Sequence, residues 1–159
     1  MNKKRDDHKL ARDLGFSLLA EGTILKIRAN GYSMYPSIKP GSIIFIDPLR
    51  ENTDPLRGEM IAWKRDTGFI VHRLIRTEGN GKETVYFTRG DSCAYEDSPV
   101  TRDQIAGKVI RVENRKKKIR EEETLIKKPC YSINRINVFL LLKIKRLWNI
   151  LFKCRLKKG

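Results

Sequence analysis

The chain is organised around residues 30–48, which read NGYSMYPSIKPGSIIFIDP. Glycine tolerates positive φ and lets another backbone approach closely, whereas Pro36 and Pro40 each fix φ and remove a backbone donor. Ser33 is therefore expected on a stiff bend outside any helix, with the flexible Gly31 two residues before it. This local chemistry suits a nucleophilic hydroxyl beside free backbone N–H groups, and it also suits a surface turn that precedes a strand.

Two later segments favour the nucleophile. Residues 69–76 form an apolar, strand-like run that carries His72, one of only two histidines in the chain. Residues 88–98 end another strand with a Gly-Asp pair and supply Asp97 six residues after that aspartate. A serine, a downstream histidine on a strand and a carboxylate beyond it provide a nucleophile, a general base and a group that orients the base. A core histidine bonded to a backbone carbonyl is the competing interpretation of His72.

Taken together, three ordered motifs resemble those of the signal-peptidase/LexA-like serine peptidases. They are Gly31-x-Ser33-Met34-x-Pro36 through Gly41, Val71-His72-Arg73-Leu74-Ile75, and Gly90-Asp91 with Asp97. The resemblance covers residues 22–113 and implies that Ser33 attacks a peptide carbonyl while His72 takes its proton. It gives Asp97 the role of holding the histidine or of shaping the loop, and leaves open whether Asp91 orients His72 instead. Four residues near the site are expected to be structural: Met34, Pro36, Gly90 and Asp91.

Three features depart from the bacterial branch of this group. Many bacterial relatives place a hydroxyl side chain two residues before the nucleophile, but this chain has Gly31 there. The oxyanion is then expected to meet the N–H of Ser33 and a backbone donor near Gly31. Paired asparagines are frequent in that branch where this chain has Ser92-Cys93. Most bacterial members also use a lysine base, so His72 resembles the endoplasmic-reticulum and archaeal type of signal peptidase.

The identity of the base makes a prediction about pH. An unperturbed imidazole titrates near pH ~6.5, so a histidine base predicts near-full activity from about pH 7 upward. A lysine base must first be desolvated to lose its proton, and its activity would still climb between about pH 8 and 10.

The resemblance further implies that the substrate binds as an extended strand in a groove. That groove is expected between the strand that leads to the serine and the strand that carries the base, with small substrate residues preferred before the scissile bond. Its lining residues are then Leu25, Ile27, Ala29, Asn30, Ile70 and Val71.

Alternating apolar residues predict the fold. From Thr23 the pattern has the two-residue period of a half-buried strand, and five more short apolar runs follow, separated by glycine-marked turns. Few helices and six short strands predict a mainly β fold, a bent antiparallel sheet or small barrel of the signal-peptidase/LexA type. The predicted strands lie near residues 25–29, 43–46, 59–64, 69–76, 84–88 and 108–113.

Composition bounds the rest of the chain. Its 159 residues suit one domain with additions at the ends: a helical segment over 1–22, the peptidase domain over 23–114, a charged linker over 115–129 and a basic helix over 130–159. Three widely spaced cysteines argue against a disulfide framework, no secretory signal is expected at the N-terminus, and no cofactor or metal is expected. The net charge of +15 is concentrated after residue 114, where 15 Lys/Arg face 3 acids.

This basic C-terminal segment predicts an amphipathic helix. One helical face carries Leu140, Ile144, Leu147, Trp148, Leu151 and Phe152, and the other carries most of the charge. Residues 135–157 are therefore expected to lie on an anionic membrane surface, or else to pack against the protein's own core or a partner helix. The longest uncharged run is too short to span a bilayer.

Three functions are consistent with these observations. The first is a serine endopeptidase of signal-peptidase type that cleaves a leader or signal-like peptide from a precursor, in the cytoplasm or at the inner membrane face. The second is a LexA-like self-cleaving regulator, which the absence of room for a DNA-binding domain disfavours. The third is a non-catalytic membrane- or nucleic-acid-binding module. Nucleic acid is disfavoured because no aromatic residues interleave with the basic run at 115–120.

Overall fold

The computed structural model describes residues 3–50, 53–65, 68–126 and 128–156, with side chains at all of these except 3–9, 11, 12, 82 and 150–156. The helices are α1 (Lys3–Ala20), α2 (Glu122–Leu125) and α3 (Tyr131–Leu156). The strands are β1 (Leu25–Arg28), β2 (Ile43–Pro48), β3 (Met60–Arg65), β4 (Gly68–Glu78), β5 (Val85–Arg89), β6 (Val100–Thr101), β7 (Ile105–Glu113) and β8 (Ile119–Glu121).

The strands form one antiparallel sheet in the order β1-β2-β7-β3-β4-β5-β6, with β8 paired to β7. This confirms the predicted mainly β, antiparallel class. The six predicted strands correspond to β1 to β5 and β7. Alternation could not identify β6 and β8, because each has only two or three residues and β8 lies in a basic run.

Strand β7 joins the two halves of the sheet. Its first residues pair with β3, its later residues pair with β2 and β8, and bulges interrupt both the β2 and the β3 pairings. Gly107 is paired with both β2 and β3. A Cβ at this position would meet the Asp47 carbonyl oxygen and lie 2.9 Å from Cγ2 of Ile46. Only glycine allows this close approach, and bulges bend the strands that carry them. The sheet therefore curves around β7.

Apolar side chains cover both faces of the sheet. One core contains Met34, Ile38, Ile44, Ile46, Met60, Ala62, Val109, Val112, Leu19 and Leu125. The other contains Ile61, Trp63, Leu74, Tyr86, Val100 and Ile105. Successive residues of β3 contribute to opposite cores, as the two-residue period of a strand requires. Strand β3 is therefore buried on both sides, which explains its unbroken apolar sequence.

Helix α1 packs on the first core through a different face from the one its leucines suggest. Leu19 is buried, and the Phe16 ring lies 4.3 Å from the Phe69 ring. Leu10 and Leu14, which belong to the apolar repeat of this segment, are exposed.

The stretch predicted as a charged linker contains ordered structure. Strand β8 extends the sheet at β7, and Leu125 of α2 enters the first core. The Leu125 carbonyl also accepts a hydrogen bond from the Arg73 guanidinium at 2.7 Å. Backbone pairing and one buried leucine are enough to fix a basic segment to the domain.

Helix α3 contacts the domain through its first turn. Asn134 is buried and donates from Nδ2 to the Asp91 carbonyl at 3.0 Å, and the Arg89 guanidinium stacks 3.8 Å from the centre of the Tyr131 ring. Beyond Asn134, the described side chains of α3 are exposed, apart from a half-buried Val138. The described part of the chain includes no helix long and apolar enough to cross a membrane.

Candidate active site

Ser33 lies in the turn between β1 and β2, which we call the serine turn (residues 32–38). Met34 and Ile38 enter the first core, and the Ile38 N–H donates to the Met34 carbonyl at 2.8 Å. Pro36 is exposed within the same turn. Because the apolar residues on either side of the bend are buried, the hydroxyl of Ser33 is held at the surface of the core rather than inside it.

Ser92 fixes the backbone of Ser33. The Ser92 N–H and Oγ donate to the Ser33 carbonyl at 2.8 and 3.0 Å, and Oγ also lies 2.6 Å from the Tyr32 carbonyl. The N–H of Ser33 itself donates no hydrogen bond within the described part of the chain. The turn therefore has its carbonyls occupied and leaves the N–H of the serine available.

His72 and Asp97 are hydrogen-bonded. His72 lies on β4 with 8% of its surface exposed, and its Nδ1 is 2.6 Å from Oδ2 of Asp97. Since a carboxylate only accepts, Nδ1 carries the proton and Nε2 presents a lone pair. The same Asp97 oxygen accepts from the Thr88 hydroxyl at 2.6 Å. Asp97, rather than Asp91, is thus the carboxylate that contacts the imidazole.

Two opposing effects set the pKa of Asp97. Burial raises it, but the hydrogen bonds from His72 and Thr88, the charge of His72 and the nearby Arg65 outweigh burial, so the pKa of Asp97 lies below its ordinary value. The carboxylate therefore stays charged beside the ring and stabilises a protonated imidazole.

Gly90 is the point where the serine turn and the imidazole meet. A Cβ on Gly90 would lie 2.7 Å from the Ser33 carbonyl oxygen, 3.1 Å from Nε2 of His72 and 2.5 Å from Sγ of Cys93. The unprotonated nitrogen of His72 and the backbone of Ser33 are therefore close neighbours, separated by a glycine. Any side chain at this position would push them apart.

Cys93 is the second nucleophilic group at this point. Burial, followed by the charge of Asp97, raises the pKa of the Cys93 thiol. A raised pKa keeps the sulfur protonated near neutral pH, so it is a poor nucleophile and does not compete with a serine for the base.

A cleft of about 320 Å³ contains both Ser33 and His72. It is lined by two runs of consecutive residues, 27–31 and 69–72, together with Ser33, Met34, Ile38 and Ile44. The face of a strand exposes alternate residues, so consecutive lining residues indicate strand edges. Within the described ranges, β1 pairs only with β2, and β4 pairs only with β3 until Arg73. Two unpaired strand edges therefore border the cleft.

A buried ion pair locks β4 to the Gly90-Asp91 turn. Arg73 donates from Nε and Nη2 to the two carboxylate oxygens of Asp91, each at 2.8 Å, and the two side chains are 3% and 0% exposed. The guanidinium also donates to the carbonyls of Gly58 and Leu125 at 2.7 Å. Asp91 therefore joins the turn after β5 to β4 through its pair with Arg73.

Most of the sequence-predicted site residues lie together. The cleft brings together Gly31, Ser33, Met34, His72, Ile27, Ala29, Asn30, Ile70 and Val71. Leu25 is not among its lining residues and packs against the first core instead. Asp97 and Gly90 lie directly beside His72, while Asp91 lies behind them.

Sequence reasoning missed three residues that hold the site: Thr88, Ser92 and Arg73. Arg73 left a signal, because a charge directly after His72 inside an apolar strand requires a buried partner. Thr88 and Ser92 left none, since isolated hydroxyls are common on strands and turns. Among the described residues, no group of three His, Cys, Asp or Glu side chains is placed to hold a metal ion.

Most of the chain matches the model of one protein family. The model of the family described as Peptidase S24-like matches residues 5–110, from α1 into β7. The chain belongs to the Peptidase S24-like family. No curated protein matches the chain in a sequence search. Membership in this LexA/signal-peptidase superfamily indicates a serine peptidase or a LexA-like self-cleaving regulator.

Proposed function

We propose that the protein is a serine endopeptidase of signal-peptidase type that removes a leader or signal-like peptide from a precursor by Ser/His catalysis. The observation that carries the proposal is the shared cleft, which is lined both by Ser33 and by a histidine hydrogen-bonded to Asp97. This combination supplies a nucleophile, a base and an orienting carboxylate at one position.

In the proposed reaction, the Ser33 hydroxyl attacks the scissile carbonyl while Nε2 of His72 takes its proton. The resulting imidazolium is stabilised by Asp97, whose low pKa keeps it ionised. Nε2 then gives its proton to the leaving amine, and the acyl group stays on Ser33 until water, activated by the same nitrogen, releases it. The Thr88 hydroxyl also donates to Oδ2 of Asp97, which holds the carboxylate and therefore keeps the His72 ring in one orientation.

The tetrahedral intermediate needs donors for its oxyanion. The N–H of Ser33 is available, and a Cβ on Gly31 would lie 4.0 Å from both the backbone nitrogen and Oγ of Ser33. The backbone around Gly31 is thus close enough to share this task. Donors fixed before the reaction cost no reorganisation when the charge develops.

The substrate is proposed to bind as an additional strand. The unpaired edges at residues 27–31 and 68–72 offer backbone donors and acceptors to an extended peptide. Between them, Met34, Ile38 and Ile44 form an apolar floor that suits small aliphatic side chains.

The self-cleaving alternative is less well supported. For LexA-like self-cleavage, the candidate cleavage site is an Ala-Gly pair, and the chain has only one, Ala106-Gly107. This pair lies inside β7, where Gly107 is paired with both β2 and β3. A bond held in the middle of a sheet cannot reach the serine without breaking that sheet. Self-cleavage would require another site in the chain.

We propose that the protein acts in the cytoplasm, at the inner face of a membrane. The charge of +15 is compatible with an anionic surface in that compartment.

Incubation of the purified protein with a synthetic library of signal-like peptides, followed by mass spectrometry, tests the proposal. We expect specific cleavage that is lost in Ser33→Ala and His72→Ala. The exposed Ser98→Ala and the His8→Ala variant, at the only other histidine, are matched controls and should cleave like the parent. Cleavage that persists in Ser33→Ala, or fragments of the protein's own chain without any cut peptide, would contradict the proposal.

A further inference from the structure

A stripe of exposed apolar side chains runs along α3. The domain-facing side of the helix is marked by Tyr131 and Asn134, which contact Arg89 and Asp91. With 3.6 residues per turn, the opposite side carries the apolar stripe, whose members are 49–59% exposed: Ile133, Ile136, Leu140, Ile144 and Leu147. The stripe is about 21 Å long at 1.5 Å per residue. The domain therefore does not cover it. Leu151 and Phe152, which extend the predicted face, lie outside the residues whose side chains are described.

The charge of α3 limits what can cover the stripe. The helix has six Lys/Arg residues and no Asp or Glu. A second copy of the chain would bring the same six positive charges, and like charges along two packed helices destabilise the pair. An anionic phospholipid surface has the complementary sign, and it offers an apolar layer directly beneath its charged headgroups.

The basic character continues from α3 onto the body of the domain. A cleft of about 510 Å³ beside Cys130 and Asn134 is lined by four cationic side chains and by no carboxylate: Lys39, Lys118, Arg120 and Lys128. Juxtamembrane cations strengthen binding to an anionic leaflet, and they act over roughly a Debye length. These four cations add positive charge to the domain surface beside the start of α3.

We infer that α3 binds the surface of an anionic phospholipid bilayer, with the apolar stripe buried among the acyl chains and its cations at the headgroups. The helix lies in the interface and does not cross the bilayer. Long basic side chains outside the stripe, such as Arg135, Lys143 and Arg146, reach the phosphates because their apolar stems extend along the helix. Since α3 is attached to the Asp91 turn, the active site is held beside the membrane.

Vesicle flotation with the full chain at 0.15 M salt tests this inference. The probes are vesicles of phosphatidylcholine with phosphatidylglycerol and vesicles of phosphatidylcholine alone. In the stripe variant, Ile136→Gln, Leu140→Gln and Leu147→Gln remove apolar side chains while glutamine preserves helix propensity. The matched control places three glutamines at exposed polar positions of the same helix: Ser132→Gln, Asn137→Gln and Asn149→Gln.

We expect the parent and the matched control to float with the anionic vesicles and to bind neutral vesicles much more weakly. The stripe variant should bind at least about 100-fold more weakly, because each lost side chain removes a large apolar transfer term. A charge variant with Arg135→Gln, Lys143→Gln and Arg146→Gln should lose about as much on anionic vesicles. Circular dichroism and peptide cleavage without vesicles should be the same in all four proteins.

Three results would overturn the inference. One is a parent chain that does not float, and another is a stripe variant that binds like the parent. The third is a dimer, detected by sedimentation, that the stripe variant lacks, because the stripe would then be an interface between two copies.

Discussion

The loop after β5 (residues 90–99), which carries Asp97, contacts helix α3 through Asp91 and Asn134. The two regions differ in whether their side chains find partners inside the protein. The polar residues of the loop are bonded within the protein: Asp97 to His72 and Thr88, Ser92 to the Ser33 carbonyl, and Asp91 to Arg73. Along α3, the apolar stripe is half exposed. A polar network completed within the fold has a role that requires fixed geometry, whereas an exposed apolar stripe requires something from outside the chain.

The difference also separates what a mutation should do in each region. A change in the loop should alter catalysis or folding of the isolated protein. A change in the stripe should leave both intact and alter only the interaction with a surface. Three substitutions and one pH dependence test this comparison, and all four concern the loop and the residues that contact it.

Asp97→Asn should have the largest effect. An amide can donate to Nδ1, which would hold the imidazole in the wrong tautomer, so kcat/KM should fall by about 10³- to 10⁴-fold while the fold is retained. Peptide cleavage measured beside circular dichroism checks this. Glu96→Gln, an exposed neighbour, is the control. A loss of less than tenfold would mean that Asp97 only shapes its loop.

Arg73→Met should reduce the free energy of unfolding by about 3–5 kcal/mol, because it leaves the Asp91 carboxylate buried without its partner. Urea unfolding gives the value. Arg76→Met breaks the exposed contacts of Arg76 with Glu78 and Glu96 and should reduce the free energy of unfolding much less, because solvent screens these pairs. Equal losses in the two variants would show that the buried pair does not support the site.

Gly90→Ala should separate Ser33 from His72. The new methyl group would lie 2.7 Å from the Ser33 carbonyl oxygen, so the two segments must move apart by several tenths of an ångström. Since reacting groups tolerate little misplacement, kcat should fall by about 100-fold. Ser98→Ala, at an exposed position in the loop after β5, is the control. Full activity in Gly90→Ala would contradict the proposed contact.

The pH dependence of stability should show the smallest effect. The pKa of Asp97 is lowered by folding, so its contribution to stability is complete above the unfolded carboxyl pKa of about 3.9 and is lost as pH falls through the folded pKa. The parent should therefore lose more stability than Asp97→Asn when pH is lowered from 5 to below about 3. Urea midpoints of both proteins at several pH values decide it. Parallel curves would argue against an ionised Asp97 bonded to His72.

The sequence predicted most of the strands and the main candidate site residues, because these follow from local patterns and motifs. Alternating apolar residues predicted β1 to β5 and β7. The serine and histidine that the ordered motifs singled out line one cleft, and Asp97 contacts the histidine. The hydrogen-bond partners that hold the site residues were not predictable from the sequence. Ser92 and Thr88 are ordinary hydroxyls until folding brings them against Ser33 and Asp97.

In three segments, tertiary packing gave a structure that differs from the one their local sequence pattern indicates. In α1, Leu10 and Leu14 recur at helical spacing but are exposed, and the face that contains Gly15 packs against Phe69 instead. The basic run after β7 looked like a solvated linker, but backbone pairing incorporates part of it as β8. Leu25 fits the alternation of a groove strand, yet it packs against the core because α1 covers that end of β1.

A double-mutant cycle of Ser33→Ala and His72→Ala, read as kcat/KM on the best-cleaved peptide of the library, tests the central claim most directly. If the hydroxyl and the imidazole act as one unit, each single variant should lose about 10³-fold or more, and the double variant should lose no more than the worse single variant. Losses that multiply in the double variant, or substantial activity in Ser33→Ala, would show that the two side chains do not share a reaction.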